Sequence, residues 1–102
     1  MPQVDYPRIV ADSKSAYHLF TIWVDEDRRD EILEKLGANE IGVAVNYRAI
    51  HLLTYFRKTF GCERGDFSIA EKIGDRTLSL PFYVGLKPEE IRHVGSVLKD
   101  IR

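Results

Sequence analysis

Tyr17-His18-Leu19-Phe20-Thr21-Ile22-Trp23-Val24 is aromatic and β-branched, with no lysine, arginine or carboxylate in it. Such a run fits a buried strand, central in its sheet. His18 reads as a core histidine with a hydrogen-bond partner, because buried polar groups are paired. Trp23 reads as core or interface. The run stops at Asp25-Glu26-Asp27, and Asp27 is placed to cap a helix over 28–37. Ile32, Leu33 and Leu36 give that helix one apolar stripe. Gly37 is the expected stop, since glycine takes a left-handed conformation without strain.

Further out, Ile41-Gly42-Val43-Ala44-Val45-Asn46-Tyr47 alternates as a second strand should. His51 to Phe60 has roughly helical spacing and is unusually aromatic, ending at Gly61. Ser68-Ile69-Ala70-Glu71 has the form of a capping box opening a helix to about Thr77, with Ile69, Ala70 and Ile73 facing inward. Leu78 to Phe82 is a short extended piece that Pro81 bars from a central position. Pro88-Glu89-Glu90 opens a last helix, 88–101, striped by Ile91, Val94, Val97, Leu98 and Ile101. Residues 1–16 are polar, contain Pro2 and Pro7, and read as an arm or linker. The order β-α-β-α-α-β-α predicts an α+β two-layer sandwich. Its small antiparallel or mixed sheet is covered on one face by helices near 28–37, 67–77 and 88–101.

The 102 residues suffice for one domain. Fifteen basic against sixteen acidic side chains leave a net charge of −1, which argues against a general electrostatic grip on nucleic acid or an anionic membrane. The single cysteine, Cys62, permits no intrachain disulfide and points to a reducing, cytoplasmic setting. The opening Met1-Pro2-Gln3-Val4-Asp5 lacks a basic stretch followed by an apolar run, so no signal peptide is expected.

Few motifs carry chemistry. There is no phosphate-binding glycine loop and no nucleophile elbow. His18, His51 and His93 do not pair with Cys62 or each other at metal-ligand spacing, so no metal is expected. Cys62 reads as a bystander. One segment stands apart: Asn46-Tyr47-Arg48-Ala49-Ile50-His51 brings an amide, a phenol, a guanidinium and an imidazole to a strand end. Loops at strand ends carry function, and arginine suits two-pronged contact with phosphate or carboxylate. The same cluster also fits a strand end whose polar groups merely face water.

Three stretches in register resemble the DegT/DnrJ family of nucleotide-sugar aminotransferases. They are Ser15 to Phe20, Ile41 to Leu52, and Gly65 to Lys72 running on to Leu78-Ser79-Leu80-Pro81-Phe82-Tyr83. The resemblance covers residues 13–102 and corresponds to about the last quarter of a complete family enzyme. It implies the C-terminal small domain, residues 17–102, of a fold-type-I aminotransferase. Family members use pyridoxal phosphate to move an amino group onto a nucleotide-linked keto-sugar, as in polysaccharide biosynthesis. The Schiff-base lysine and the cofactor cradle belong to the large N-terminal domain, so no cofactor and no catalytic residue are expected in this chain. The small domain closes over the site and helps hold the sugar nucleotide. That role falls here on Asn46, Tyr47, Arg48 and His51. Many members have histidine where this chain has Asn46, and arginine where it has Trp23.

The implied partners are an N-terminal pyridoxal-phosphate domain and, in the complete enzyme, the nucleotide sugar. A free-standing binding or interaction module that kept the fold and lost the chemistry is the alternative. Leu52, Leu53, Tyr55, Phe56 and Phe60, with Phe82 and Tyr83, exceed what one helical face can bury. A homodimer or larger assembly with residues of 52–60 or 82–83 in the contact is therefore expected.

Overall fold

Burial is deepest at Thr77-Leu78-Ser79, and the rest of the chain is arranged around that stretch. The computed structural model describes residues 4–101. Strand β1, Phe20–Trp23, pairs antiparallel with β2, Thr77–Leu80, matching Phe20 with Leu80 and Ile22 with Leu78. Each strand has one further neighbour on its outer side. Asp5 exchanges two backbone hydrogen bonds with Trp23, and Ala44 exchanges two with Ser79. β2 is thus an inner strand, contrary to the reading of Pro81. The proline lies one residue past the strand's end, where no ladder hydrogen bond is asked of it.

Helices α1 (Arg29–Ala38), α2 (Thr54–Phe60), α3 (Ser68–Arg76) and α4 (Pro88–Ile101) complete the fold, with a single 3₁₀ turn at Ile50–Leu52. The architecture is α+β, as the sequence predicts. One core unites Ile22 and Val24 with Leu78 from the sheet, Ile32 and Leu36 from α1, Ile41, and Leu98 and Ile101 from α4. Leu36 and Leu78 have no exposed surface. Each such leucine contributes roughly 1.5–3 kcal/mol through burial. Arg28 fastens the two covering helices by donating from Nη2 to the carbonyl of Ile101, at the C-terminal end of α4, at 2.8 Å.

Several local expectations need correction. The first strand begins at Phe20, because Tyr17 sits at φ 51° with its N–H on Ser15 Oγ; His18 is exposed rather than core. The strand expected over 41–47 reduces to the single Ala44 bridge. At one end the Ile41 N–H closes α1 on the Leu36 carbonyl, and at the other the chain turns to follow α3. Gly37 does not stop α1. The helix ends with Glu40 in the left-handed conformation (φ 63°), with Ile41 N–H to Leu36 O and Glu40 N–H to Gly37 O, a Schellman closure. The helix expected over His51–Phe60 is broken at extended Leu53.

A further correction is the face of α3. Ile69, at 75% exposure, and Ala70 and Ile73 point outward, while Glu71 and Gly74 are buried. The Ser68 hydroxyl makes no cap. Neither does Asp27 at the start of α1, where Asp25 instead accepts the N–H of Asp27.

Candidate functional site

The polar segment Asn46–His51 leaves the Ala44 bridge and runs along the inward face of α3. The structure divides its four candidate residues. Tyr47, at 65% exposure, and Arg48 stand at the surface. Asn46 is half-buried, its peptide bond to Tyr47 is cis, and its carbonyl accepts from Thr77 Oγ1 at 3.4 Å. His51, 7% exposed, turns inward. A cleft of about 570 Å³ lined by Ile41, Tyr83, Glu90 and His93 includes none of the four.

His51 is held by a residue that the sequence marks only as a cap. Its Nε2 lies 2.8 Å from Glu71 Oε2, and its ring meets Phe67 edge-on at 4.9 Å. The Glu71 carboxylate also accepts the N–H groups of Gly65, at 2.8 Å, and Phe67, at 3.2 Å. Burial alone raises the pKa of such a carboxyl. The His51 hydrogen bond and the two backbone donors outweigh that here and hold it below its ordinary value of 4.5. An ionised carboxylate only accepts, so the imidazole carries its hydrogen on Nε2. The pair fixes the ring at one point and fastens the 61–67 loop at two more. Histidine and loop therefore move together or not at all.

Gly74 is the second contact that composition does not reveal. A Cβ built there would lie 2.7 Å from the Ala49 nitrogen and 3.2 Å from the Tyr47 carbonyl oxygen. The segment rests directly on the helix backbone at this point. Behind it, buried Arg29 donates from Nη1 to the Gly74 carbonyl at 2.8 Å. The signal lay in the Glu71-x-x-Gly74 spacing, which puts both residues on one face of α3. The apolar repeat Ile69–Ile73 on the other face masked it.

What the arrangement can do is limited and specific. It presents a phenol and a guanidinium to solvent on backbone pinned from below, a fit for binding an oxygen-rich or anionic ligand. Among the described residues no group of three histidine, cysteine, aspartate or glutamate side chains is positioned to hold a metal ion. Among them, too, no helix is long and apolar enough to cross a membrane.

Known proteins share this fold. The sequence model of the DegT/DnrJ/EryC1/StrS aminotransferase family matches residues 1–99. An uncharacterized protein of Methanocaldococcus jannaschii is 34% identical over 99 residues, covering 93% of this chain and 26% of its own length. The spore coat polysaccharide biosynthesis protein SpsC of Bacillus subtilis is 31% identical, covering 99% of this chain and 27% of its own length. Among solved structures, S. venezuelae DesV superposes with a TM-score of 0.86 at 26% identity, over 98% of this chain and 26% of that one. Helicobacter pylori PseC, an aminotransferase of pseudoaminic acid biosynthesis, superposes with a TM-score of 0.74 at 27% identity, over 86% of this chain and 24% of that one. The chain thus spans about a quarter of the length of the relatives it matches. It belongs to the DegT/DnrJ/EryC1/StrS aminotransferase family.

Proposed function

We propose that this chain is the C-terminal small domain of a pyridoxal-phosphate-dependent aminotransferase acting on nucleotide-linked keto-sugars, and that it helps hold the sugar nucleotide without being catalytic alone. In this reading residues 1–16 are the arm leading into the domain, 17–102. A large N-terminal cofactor domain, in the same polypeptide or on another chain, supplies the chemistry. The name of the B. subtilis relative favours a place in polysaccharide biosynthesis. Half-buried Cys62, a free thiol, suits a cytoplasmic setting.

The observation that carries the reading is the exposure of Tyr47 and Arg48 on a segment whose backbone is pinned against α3. Arg48 would grip the diphosphate and Tyr47 a sugar hydroxyl, with Asn46 adding an amide at the edge. His51 serves from beneath, through Glu71, rather than by facing outward.

The cofactor itself does not fit this chain. Lys14, Lys35, Lys58, Lys72, Lys87 and Lys99 are all exposed, and Lys35 is paired with Glu31 at 2.7 Å. A lysine that bonds covalently to a cofactor must shed its proton in an enclosed site, which none of these occupies. Pyridoxal phosphate, which supplies the electron sink when bound, therefore belongs to the partner domain.

The apolar side chains left outside support a covering surface. Tyr55, Phe60, Ile69, Phe82 and Tyr83 are exposed. The large domain covers part of this surface in the complete enzyme, and a second copy covers part in a homo-oligomer. The test is replacement by alanine of the arginine matching Arg48 in a full-length relative. The Michaelis constant for the sugar nucleotide should rise at least severalfold while kcat changes less. An unmoved Michaelis constant would retire the assignment.

A further inference from the structure

The substrate segment meets α3 and the start of β2 at three points, at a regular spacing. Thr77 Oγ1 donates to the Asn46 carbonyl. Gly74 lies under Tyr47, Arg48 and Ala49, with the nearest would-be Cβ contact at 2.7 Å. Glu71 holds His51 at 2.8 Å. The contacts step by three residues from α3 into the first residue of β2 while the segment runs the opposite way, from Asn46 to His51. Tyr47 and Arg48 are the two polar side chains left free between the fixed points, beside exposed Ile50.

We infer that Glu71, Gly74 and Thr77 are positioning residues that mould the Asn46–His51 segment and so set where Tyr47 and Arg48 meet the substrate. This rests on the function proposed above. Gly74 acts by having no side chain. The contact it avoids is with backbone atoms, so an added methyl group cannot be accommodated by a rotamer change. The helix cannot easily yield instead. Arg29 holds the Gly74 carbonyl from behind, Arg76 Nε donates to the Val24 carbonyl at 2.9 Å, and the chain enters β2 at the next residue. The segment is therefore what moves. Glu71 acts at the far end, where its carboxylate ties the His51 ring to the Gly65 and Phe67 amides.

Two measurements test this. In the chain itself, backbone amide shifts and nuclear Overhauser contacts are compared for the unaltered sequence, Gly74→Ala and the exposed neighbour Ile73→Ala. Gly74→Ala should displace the signals of residues 46–51 and keep the β1–β2 cross-strand contacts, whereas Ile73→Ala should leave 46–51 in place. Signals of 46–49 that do not move in Gly74→Ala overturn the inference. If that variant does not fold, Glu71→Gln carries the same comparison, with the perturbation expected at the His51 end.

The kinetic arm uses a complete family member with the same Glu-x-x-Gly-x-x-Thr spacing. There Gly→Ala should raise the sugar-nucleotide Michaelis constant about tenfold with kcat held within about twofold, since misplacing a binding group by a fraction of an ångström acts on binding first. A fall in kcat with an unmoved Michaelis constant overturns it. The two readings fail separately. Silence of the Arg48→Ala counterpart sinks the substrate role, while a displaced segment in Gly74→Ala still establishes the moulding.

Discussion

Gly37→Ala and Glu40→Gly, tested together, ask which residue closes α1. Gly37 lies inside the helix, without a left-handed φ, and a Cβ there meets nothing within 4 Å. Alanine should therefore stabilise by about 0.5–1 kcal/mol, the usual cost of glycine within a helix. Glu40 carries the left-handed turn at φ 63°. Relieving that conformation gains about 1–2 kcal/mol, and the greater freedom of glycine in the unfolded chain offsets about 0.4–1 kcal/mol. A net gain of about 0.5–1 kcal/mol remains. For a domain of this size each change should raise the melting temperature by about 2–8 °C. Thermal unfolding followed by circular dichroism reads both, with Glu40→Ala as the control that keeps the strain. A lower melting temperature for Gly37→Ala would restore Gly37 as the left-handed stop and refute the closure described here. Equal melting temperatures for Glu40→Gly and Glu40→Ala would remove the strain argument.

Leu78→Ala should cost about 2–5 kcal/mol in urea unfolding, because it empties a fully buried position of the core that Leu78 shares with Ile22 and Leu36; a loss below about 1 kcal/mol would mean that the sheet is not packed as described. The Glu71 carboxyl titrates below 4.5 in the folded protein, so its contribution is fully present above that pH and is lost as pH falls through the lowered value. Glu71→Gln should accordingly flatten the acid limb of the stability curve below pH 4.5, and an unchanged limb would show that the His51 pair does not drive it. Sedimentation of the chain at micromolar concentration should show self-association, weakened by Tyr55→Ser with Phe60→Ser. A clean monomer would assign the exposed aromatics to the large domain alone.

The parts of this fold that read from sequence are those in which apolar periodicity and packing agree. α4 opens at Pro88 and buries Leu98 and Ile101, and β1 contains the expected Ile22 and Trp23. Misreadings arise where a polar contact takes the place of an apolar one. On α3 a carboxylate and a glycine occupy the inner face, so a rule that sends isoleucine inward turns the helix over. Alternation over 41–47 is real, yet Ala44 is the only residue there with a ladder partner among the described residues, since its flanks are claimed by α1 and α3. The candidate segment was legible as a cluster of chemistry-bearing residues. Its division into two outward side chains and one inward histidine was not. That division depends on Glu71, twenty residues further along the chain from His51.

The pairing of β1 with β2 also governs how the chain reaches its fold. The two strands touch along their whole length, yet α1, α2 and α3 all lie between them in sequence. No local hairpin can nucleate this sheet; closing so long an excursion costs entropy before any ladder bond returns it, which slows folding. The helices can form early, but the core waits for the ends of the excursion to meet. A single cut in the exposed stretch Glu63–Asp66 would leave two pieces with one strand each. Neither piece could build the sheet by itself, and together they could rebuild it only by finding one another.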